Sequence, residues 1–260
     1  MPSYKIPPSA IHIRSKGKIT LYLLEKNYFD AFGSQMLGLG NIEKRAEAQP
    51  AICALFDLQS FTDFCSQIEP HLSVPIFLSD FLDWFFESIK SETFRSKHKD
   101  GIAIWHPLPF FTKFMGDGVL VIWNVSTMDQ ISQHNLIVSC NQILNDYKEI
   151  FVPKMQRKVV GVPPVLRCGI AKGTVFSVGD GSDFVGTCVN MAARLQKLHG
   201  LRICFNRRGF EPEARMPKAI QDWLLKKVSI RGIGNGELVY VLKTEFEKLD
   251  NTDKEQFQDP

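Results

Sequence analysis

Two aspartates stand where the chain could hold a cation. Asp57 closes the apolar run "AICALFDL" (51–58), and Asp117 lies between Gly116 and Gly118 in "FTKFMGDGVLVIW" (111–123). A turn by itself accounts for Asp117, because Asp beside Gly supplies the positive φ of a tight hairpin at little steric cost. The pair reads differently. Where a first strand and a hairpin are neighbours in a sheet, Asp57 at the end of one and Asp117 at the tip of the other converge. Like charges that close are unfavourable unless a cation sits between them, and oxygen ligands point to magnesium or manganese rather than zinc. Two such ions, roughly 3.5–4 Å apart, clamp the attacking and leaving oxygens of a phosphoryl displacement.

The elements that must position these carboxylates are legible from hydrophobic periodicity. Residues 51–58 lack alternation, as expected of a strand buried on both faces. Residues 74–90 place Phe77, Leu78, Phe81, Leu82, Phe85 and Phe86 at helical spacing, a stripe for packing rather than for a ligand. A second helix over 129–151 carries Ile131, Leu136, Ile137, Cys140, Ile143 and Leu144 on one face. "PPVLRCGIAKGTVFSVG" (163–179) reads as two strands around a Gly-containing turn, and "GTCVNMAARLQKLHG" (186–200) as a helix capped by Gly200. "LRICF", a polar helical segment and "KVSIRGIGNGELVYVL" complete the core. This order predicts an α+β fold with a ferredoxin-like core: a mostly antiparallel sheet, helices packed on one face and the other face open to a partner.

The flanks look different. Residues 1–47 form an N-terminal extension, Pro-rich and polar to 19, with a patchy apolar pattern beyond that suits a helix or an arm on a partner. Residues 91–110 read as a polar, Pro-interrupted linker in which His106 is a loop residue without a role. The tail, 244–260, is polar and is expected to be frayed or disordered.

Composition excludes several classes. A net charge of +3 with acids and bases interspersed gives no nucleic-acid stripe. Six cysteines lie scattered with no C-x-x-C pair and no metal-ligand spacing, so they read as reduced core thiols. No apolar stretch approaches membrane-spanning length and the first residues lack a signal-peptide pattern, so no membrane contact and a cytoplasmic location are expected.

Four linked motifs, "ALFDLQSFTDF", "KFMGDGVLVIW", "LRCGIAKGTVFSVGDGSDFVGTCVNMAARL" and "SIRGIGNGELVYVL", resemble those of a class III nucleotidyl cyclase catalytic domain over residues 48–243. The resemblance implies a head-to-tail homodimer with composite active sites, making a 3′,5′-cyclic nucleotide and pyrophosphate from a nucleoside triphosphate. It assigns Asp57, Asp117 and the Leu58 carbonyl to two divalent cations, Mg2+ or Mn2+. It places phosphate on the amides of Phe61 and Thr62 and on Arg167. From the other subunit it takes Asn190 to position the ribose, Arg194 to stabilise the transition state, and Arg231 at the triphosphate, where many members carry Lys.

The chemistry agrees with that carry-over. Asn190 and Arg194 are four apart and share a helix face, and Arg194 offers fixed donors where charge develops on phosphorus. Taken singly, Arg194 could be a salt-bridged surface residue and Asn190 a helix-start cap. The set is harder to explain that way. A cyclase-homology module that has lost catalysis and only binds nucleotide is the alternative from another class.

In the same resemblance the base is read by Lys113 and Asp183, a pair that resembles that of adenine-selective enzymes, where guanine-selective ones carry Glu and Cys. A donor and an acceptor suit adenine, cytosine or uracil and argue against guanine. No fused sensor domain is expected, and the first motif, "FDLQSFT", is divergent. Stand-alone cyclases of this kind resemble the pyrimidine cyclases of bacterial antiphage defence, whose product activates a separate effector protein. The expected substrate is therefore UTP ahead of CTP, with ATP next.

Overall fold

A computed structural model describes residues 11–16, 19–30, 37–198, 200–210 and 220–260. The polar helical segment expected after "LRICF" falls mostly on 211–219, outside the described residues, as do residues 1–10. The chain divides into two compact units: residues 1–48 with 176–185, and residues 49–175 with 186–260.

The smaller unit opens with an antiparallel pair, β1 (Ile11–Lys16) and β2 (Ile19–Leu24), followed by the short α1 (Lys26–Asp30). The apolar pattern after residue 19, expected to be a helix or an arm, is therefore a strand at its start.

The larger unit is built on a mixed sheet. Its first strand, β3 (Ala48–Gln59), is buried throughout 51–58, as the run without alternation predicts. The short α2 (Phe61–Cys65) and the long α3 (Pro70–Thr93) follow. A separate hairpin, β4 (Phe94–His98) with β5 (Gly101–Ile104), occupies most of the expected linker. Next come the hairpin β6 (Phe111–Phe114) and β7 (Gly118–Asn124), then α4 (Gln130–Asp146), a π-helical turn Tyr147–Phe151 and α5 (Val152–Met155). The last sheet elements are β8 (Val165–Val178), β9 (Asp183–Val185), α6 (Thr187–Leu195), β10 (Ile203–Asn206), β11 (Trp223–Ile230) and β12 (Gly234–Leu242). A two-residue strand, β13 (Phe257–Gln258), closes the chain. The strand order is β13-β11-β12-β10-β8-β3-β7-β6, with β10 and β8 parallel, and the end of β8 pairs with β9 inside the smaller unit.

Alternation along the strands sorts the core. Ile52, Ala54, Phe56 and Leu58 of β3 join Phe77, Phe81 and Phe85 of α3 and Leu136, Ile137, Cys140, Ile143 and Leu144 of α4 in one apolar cluster. Each fully buried Phe contributes roughly 1.5–3 kcal/mol of transfer free energy. The helical stripes are narrower than expected: Phe86 is 41% exposed and Ile131 59% exposed, because each lies at the margin of its helix face.

The opposite face is not left open. Cys53 meets Cys188 of α6 across it, and the Cys204 thiol donates to the Leu195 carbonyl. Gly169 and Gly173, expected to mark a turn, sit inside the single strand β8. They are glycines because α6 lies directly on them. A Cβ at 169 would collide with the backbone of Ala192 and Gln196, and one at 173 would lie 3.0 Å from the Cys188 Cβ. Gly200 lies five residues beyond the last residue of α6, so it does not cap that helix. The helix stops at Leu195, and Gln196 donates to the Ala192 carbonyl.

The tail is ordered, against expectation. Helices Lys243–Phe246 and Asn251–Lys254 lead into β13, which pairs with β11. Phe257 is buried and stacks edge-on against Phe246. Two aromatic anchors outweigh a polar composition.

Candidate active site

Strand register builds the carboxylate corner. β3 and β7 are antiparallel with Asp57 opposite Gly118, and the Leu58 N–H donates to the Asp117 carbonyl at 2.8 Å. The hairpin needs its positive φ at Gly116 (83°), one residue before the aspartate, so Asp117 is not the turn's conformational requirement. Gly118 has a different duty: a Cβ there would collide with the Phe56 carbonyl of β3. These two glycines let Asp117 lie against the end of β3.

Asp57 is 4% exposed, and its Oδ2 accepts a hydrogen bond from Arg167 of β8 at 2.9 Å. Burial pushes its carboxyl up, and the nearby Asp117 charge pushes the same way, while Arg167 and Lys197 pull it down; the net direction is upward. A buried carboxylate raised by a second carboxylate is a donor set that gains from a hard cation. The residues present fit a divalent cation held by oxygen ligands, although no cluster of three or more His, Cys, Asp or Glu occurs among the described residues. The Arg167 Nε is buried without a hydrogen-bond partner, leaving a donor for an anion.

Phe61 and Thr62 form the first turn of α2, whose leading N–H groups have no intrahelical acceptor. The chain enters that turn through Ser60, which takes the left-handed conformation at φ 63°. Phe61 is buried beneath it and Thr62 is exposed.

A second polar region lies on α6 and the turn between β11 and β12. Asn190, Arg194, Lys197 and Arg231 line one cavity of about 390 Å³. The N-cap of α6 is Gly186, so Asn190 lies a full turn inside the helix and is no cap. Arg194 makes no ion pair among the described residues, nor do Lys197 and Arg231. Neither everyday explanation, cap or surface salt bridge, applies to this pair. Lys197 was not singled out from the sequence. Its signal was present, since it follows Arg194 by three residues, a spacing that puts both on one side of a helical turn.

The proposed base readers are placed less informatively. Lys113 is exposed on β6. Asp183 belongs to the smaller unit, where it opens β9 opposite Val178 and its Oδ1 accepts from the Phe184 N–H at 2.9 Å. His106 lies in the loop after β5, as expected, with its side chain buried. Its ring nitrogens lie 3.0 Å from the Pro107 carbonyl and 3.1 Å from the Ser139 hydroxyl, and burial lowers its pKa. No helix among the described residues is long and apolar enough to cross a membrane.

No protein-family model matches the chain, and no curated protein does. Solved structures do. The guanylyl cyclase Cya2 is 18% identical with a TM-score of 0.55, over 76% of this chain and 94% of that one. The guanylate cyclase domain of RhGC from Catenaria anguillulae, in complex with GTP, is 14% identical with a TM-score of 0.51, over 76% and 98%. The catalytic core of a rhodopsin-guanylyl cyclase with converted specificity, in complex with ATPalphaS, is 15% identical with a TM-score of 0.51, over 75% and 97%. The mixed sheet with its packed helices is the fold of the class III cyclase catalytic domains.

Proposed function

We propose that residues 48–243 form a nucleotidyl cyclase catalytic domain that converts a nucleoside triphosphate to a 3′,5′-cyclic nucleotide and pyrophosphate. The observation that carries this reading is the joint presence, on a cyclase fold, of a buried carboxylate corner and a cavity lined by Asn190, Arg194 and Arg231. Asp57, Asp117 and the Leu58 carbonyl would hold two divalent cations, Mg2+ or Mn2+. Bound there, such ions neutralise phosphate charge and make the 3′-hydroxyl more acidic.

The chain's own groups do the rest. The Phe61 and Thr62 amides and Arg167 take phosphate oxygens, and Arg167 also fixes the orientation of Asp57. Asn190 orients the ribose, so that the 3′-oxygen and the α-phosphorus meet in line. Arg194 donates to the oxygens on which charge accumulates at phosphorus, and Arg231 holds the departing pyrophosphate. On this reading the carboxylate corner of one protomer works with the cation-lined cavity of another in a head-to-tail homodimer. That makes two composite sites.

For the base we infer UTP ahead of CTP, with Lys113 as donor and Asp183 as acceptor, and ATP as the second reading. The product would act as a second messenger on a separate effector protein, in antiphage defence. The test is incubation of purified protein with ATP, GTP, CTP and UTP separately, with manganese, and chromatographic identification of the products. Cyclic UMP or cyclic CMP supports the base reading. Cyclic AMP as the main product overturns it and keeps the cyclase. No cyclic product from any of the four points to a module that only binds nucleotide.

A further inference from the structure

Six thiols are present, and two of them lie face to face. The Sγ atoms of Cys53 and Cys188 are 3.4 Å apart, in contact but not bonded. Cys53 is in the middle of β3, and Cys188 is the second residue of α6, so the pair spans the seam between the sheet and the helix that carries Asn190 and Arg194. Gly173 makes this approach possible, because any side chain there would press on the Cys188 Cβ.

The surroundings of the two sulfurs differ. Cys53 is wholly buried. Cys188 lines a cavity of about 280 Å³ together with Lys172, Asn190 and Arg208. Cys188 borders that cavity and Cys53 does not, so the cavity is the route by which a small polar oxidant reaches the pair. The Cys53 thiol and the backbone N–H groups of Val189 and Cys188 lower the Cys188 pKa against the upward push of its burial, whereas the Cys188 neighbour and burial together raise that of Cys53. Cys140 and Cys168 also share a hydrogen bond, but they and Cys204 are buried in the core and line none of the cavities described, and Cys65 is half-buried on α2.

We propose that Cys188 and Cys53 are a reversible oxidation site for peroxides, Cys188 as the attacking thiol and Cys53 as the resolving one. The Cys188 thiolate attacks the peroxide, one O–O bond breaks, and the products are a sulfenic acid and an alkoxide or hydroxide that takes up a proton. The Cys53 sulfur then attacks the Cys188 sulfur. The S–O bond breaks, the hydroxide leaves with the Cys53 proton as water, and a disulfide remains. Two thiols are oxidised and one peroxide is reduced. Closing the gap to the roughly 2.05 Å of a disulfide draws the first turn of α6 toward β3.

The full chain under native conditions, exposed to graded hydrogen peroxide, tests this. After alkylation of free thiols and digestion without reductant, mass spectrometry should find the Cys53 and Cys188 peptides joined, and a thiol reductant should separate them. In Cys53→Ser protein a sulfenic-acid trap such as dimedone should label Cys188. Cys188→Ala should leave Cys53 reduced at the same dose. Both thiols still reduced at doses that oxidise Cys65, a linkage to a different cysteine, or oxidation of Cys53 in the Cys188→Ala variant would overturn the assignment. The readout is a covalent mass, independent of whether any nucleotide is turned over.

Discussion

The carboxylate corner and the cation-lined cavity solve opposite electrostatic problems. The corner is largely buried and compensated only in part within the chain: Asp57 holds Arg167 at 2.9 Å, while Asp117, just before β7, adds a like charge. The cavity is exposed and uncompensated, since Arg194, Lys197 and Arg231 line it without an ion pair among the described residues. An exposed cation in water costs little, so folding does not demand that these three be neutralised. A polyanion entering the cavity would find them available. The difference separates a region whose charges folding has drawn together and partly paired from one whose charges folding has left unpaired.

The sharpest way to break that comparison is to remove the corner's half-buried member, Asp117. Asp117→Ala should bring turnover below detection while the protein stays folded. The hairpin is held by backbone bonds that alanine retains, Leu58 N–H to the residue 117 carbonyl and residue 117 N–H to the Met115 carbonyl. Pyrophosphate release with manganese and the far-ultraviolet dichroism spectrum read the two expectations. Full activity would show that the corner is structural.

Next in size is the loss expected from Arg194→Ala, about 100- to 1,000-fold in kcat, the range for removing one preorganised donor from a developing charge. If the two regions serve one site from different protomers, mixing Asp57→Ala with Arg194→Ala protein should restore part of the activity. Each mixed dimer would hold one intact site. No recovery after verified subunit exchange would mean that each chain works alone.

The two regions also differed in how much of them could be read from sequence. Asp57 and Asp117 were legible because strand ends and a Gly-flanked hairpin place residues by register, which a period of two fixes. Asn190 and Arg194 were legible as a pair through helical spacing. The seat of their helix was not. Gly169 and Gly173 carry the same letter as a turn glycine, and only the packed structure shows that α6 rests on them. The tail misled for a related reason: Phe246 and Phe257 are two apolar residues in a polar segment, and their contact becomes visible only in three dimensions. Lys197 went unnoticed because a lysine after a helix is usually a solvated end.

Lys197→Ala should therefore have a smaller effect than Arg194→Ala, and of a different kind. It lines the cavity and its charge reaches Asp57, yet it has neither the fork nor the position of an arginine aimed at phosphorus. We expect KM to rise about tenfold, equivalent to roughly 1.4 kcal/mol, with kcat nearly unchanged and a weaker salt dependence. An equal fall in kcat would move Lys197 from binding into the transition state.

The smallest effect concerns stability and asks whether the corner is as well compensated as its ion pair suggests. Burial, aided by the charge of Asp117, holds the Asp57 carboxyl above the ordinary aspartate range despite Arg167 and Lys197. The folded chain then binds that proton more tightly than the unfolded one. Its stabilising contribution is complete below the unfolded value, about 3.9, and is lost as pH rises through the folded value. Urea denaturation across acidic to neutral pH should show wild-type stability falling through that window, and Asp57→Asn should flatten the slope. Arg167→Gln should extend the fall to higher pH, because it removes a group that lowers the Asp57 pKa. The opposite slope in the wild type, stability rising with pH and lost in Asp57→Asn, would show that Arg167 overcompensates the buried carboxylate. The corner would then be an ordinary buried ion pair, complete without a cation, and the contrast with the open cavity would be one of burial alone.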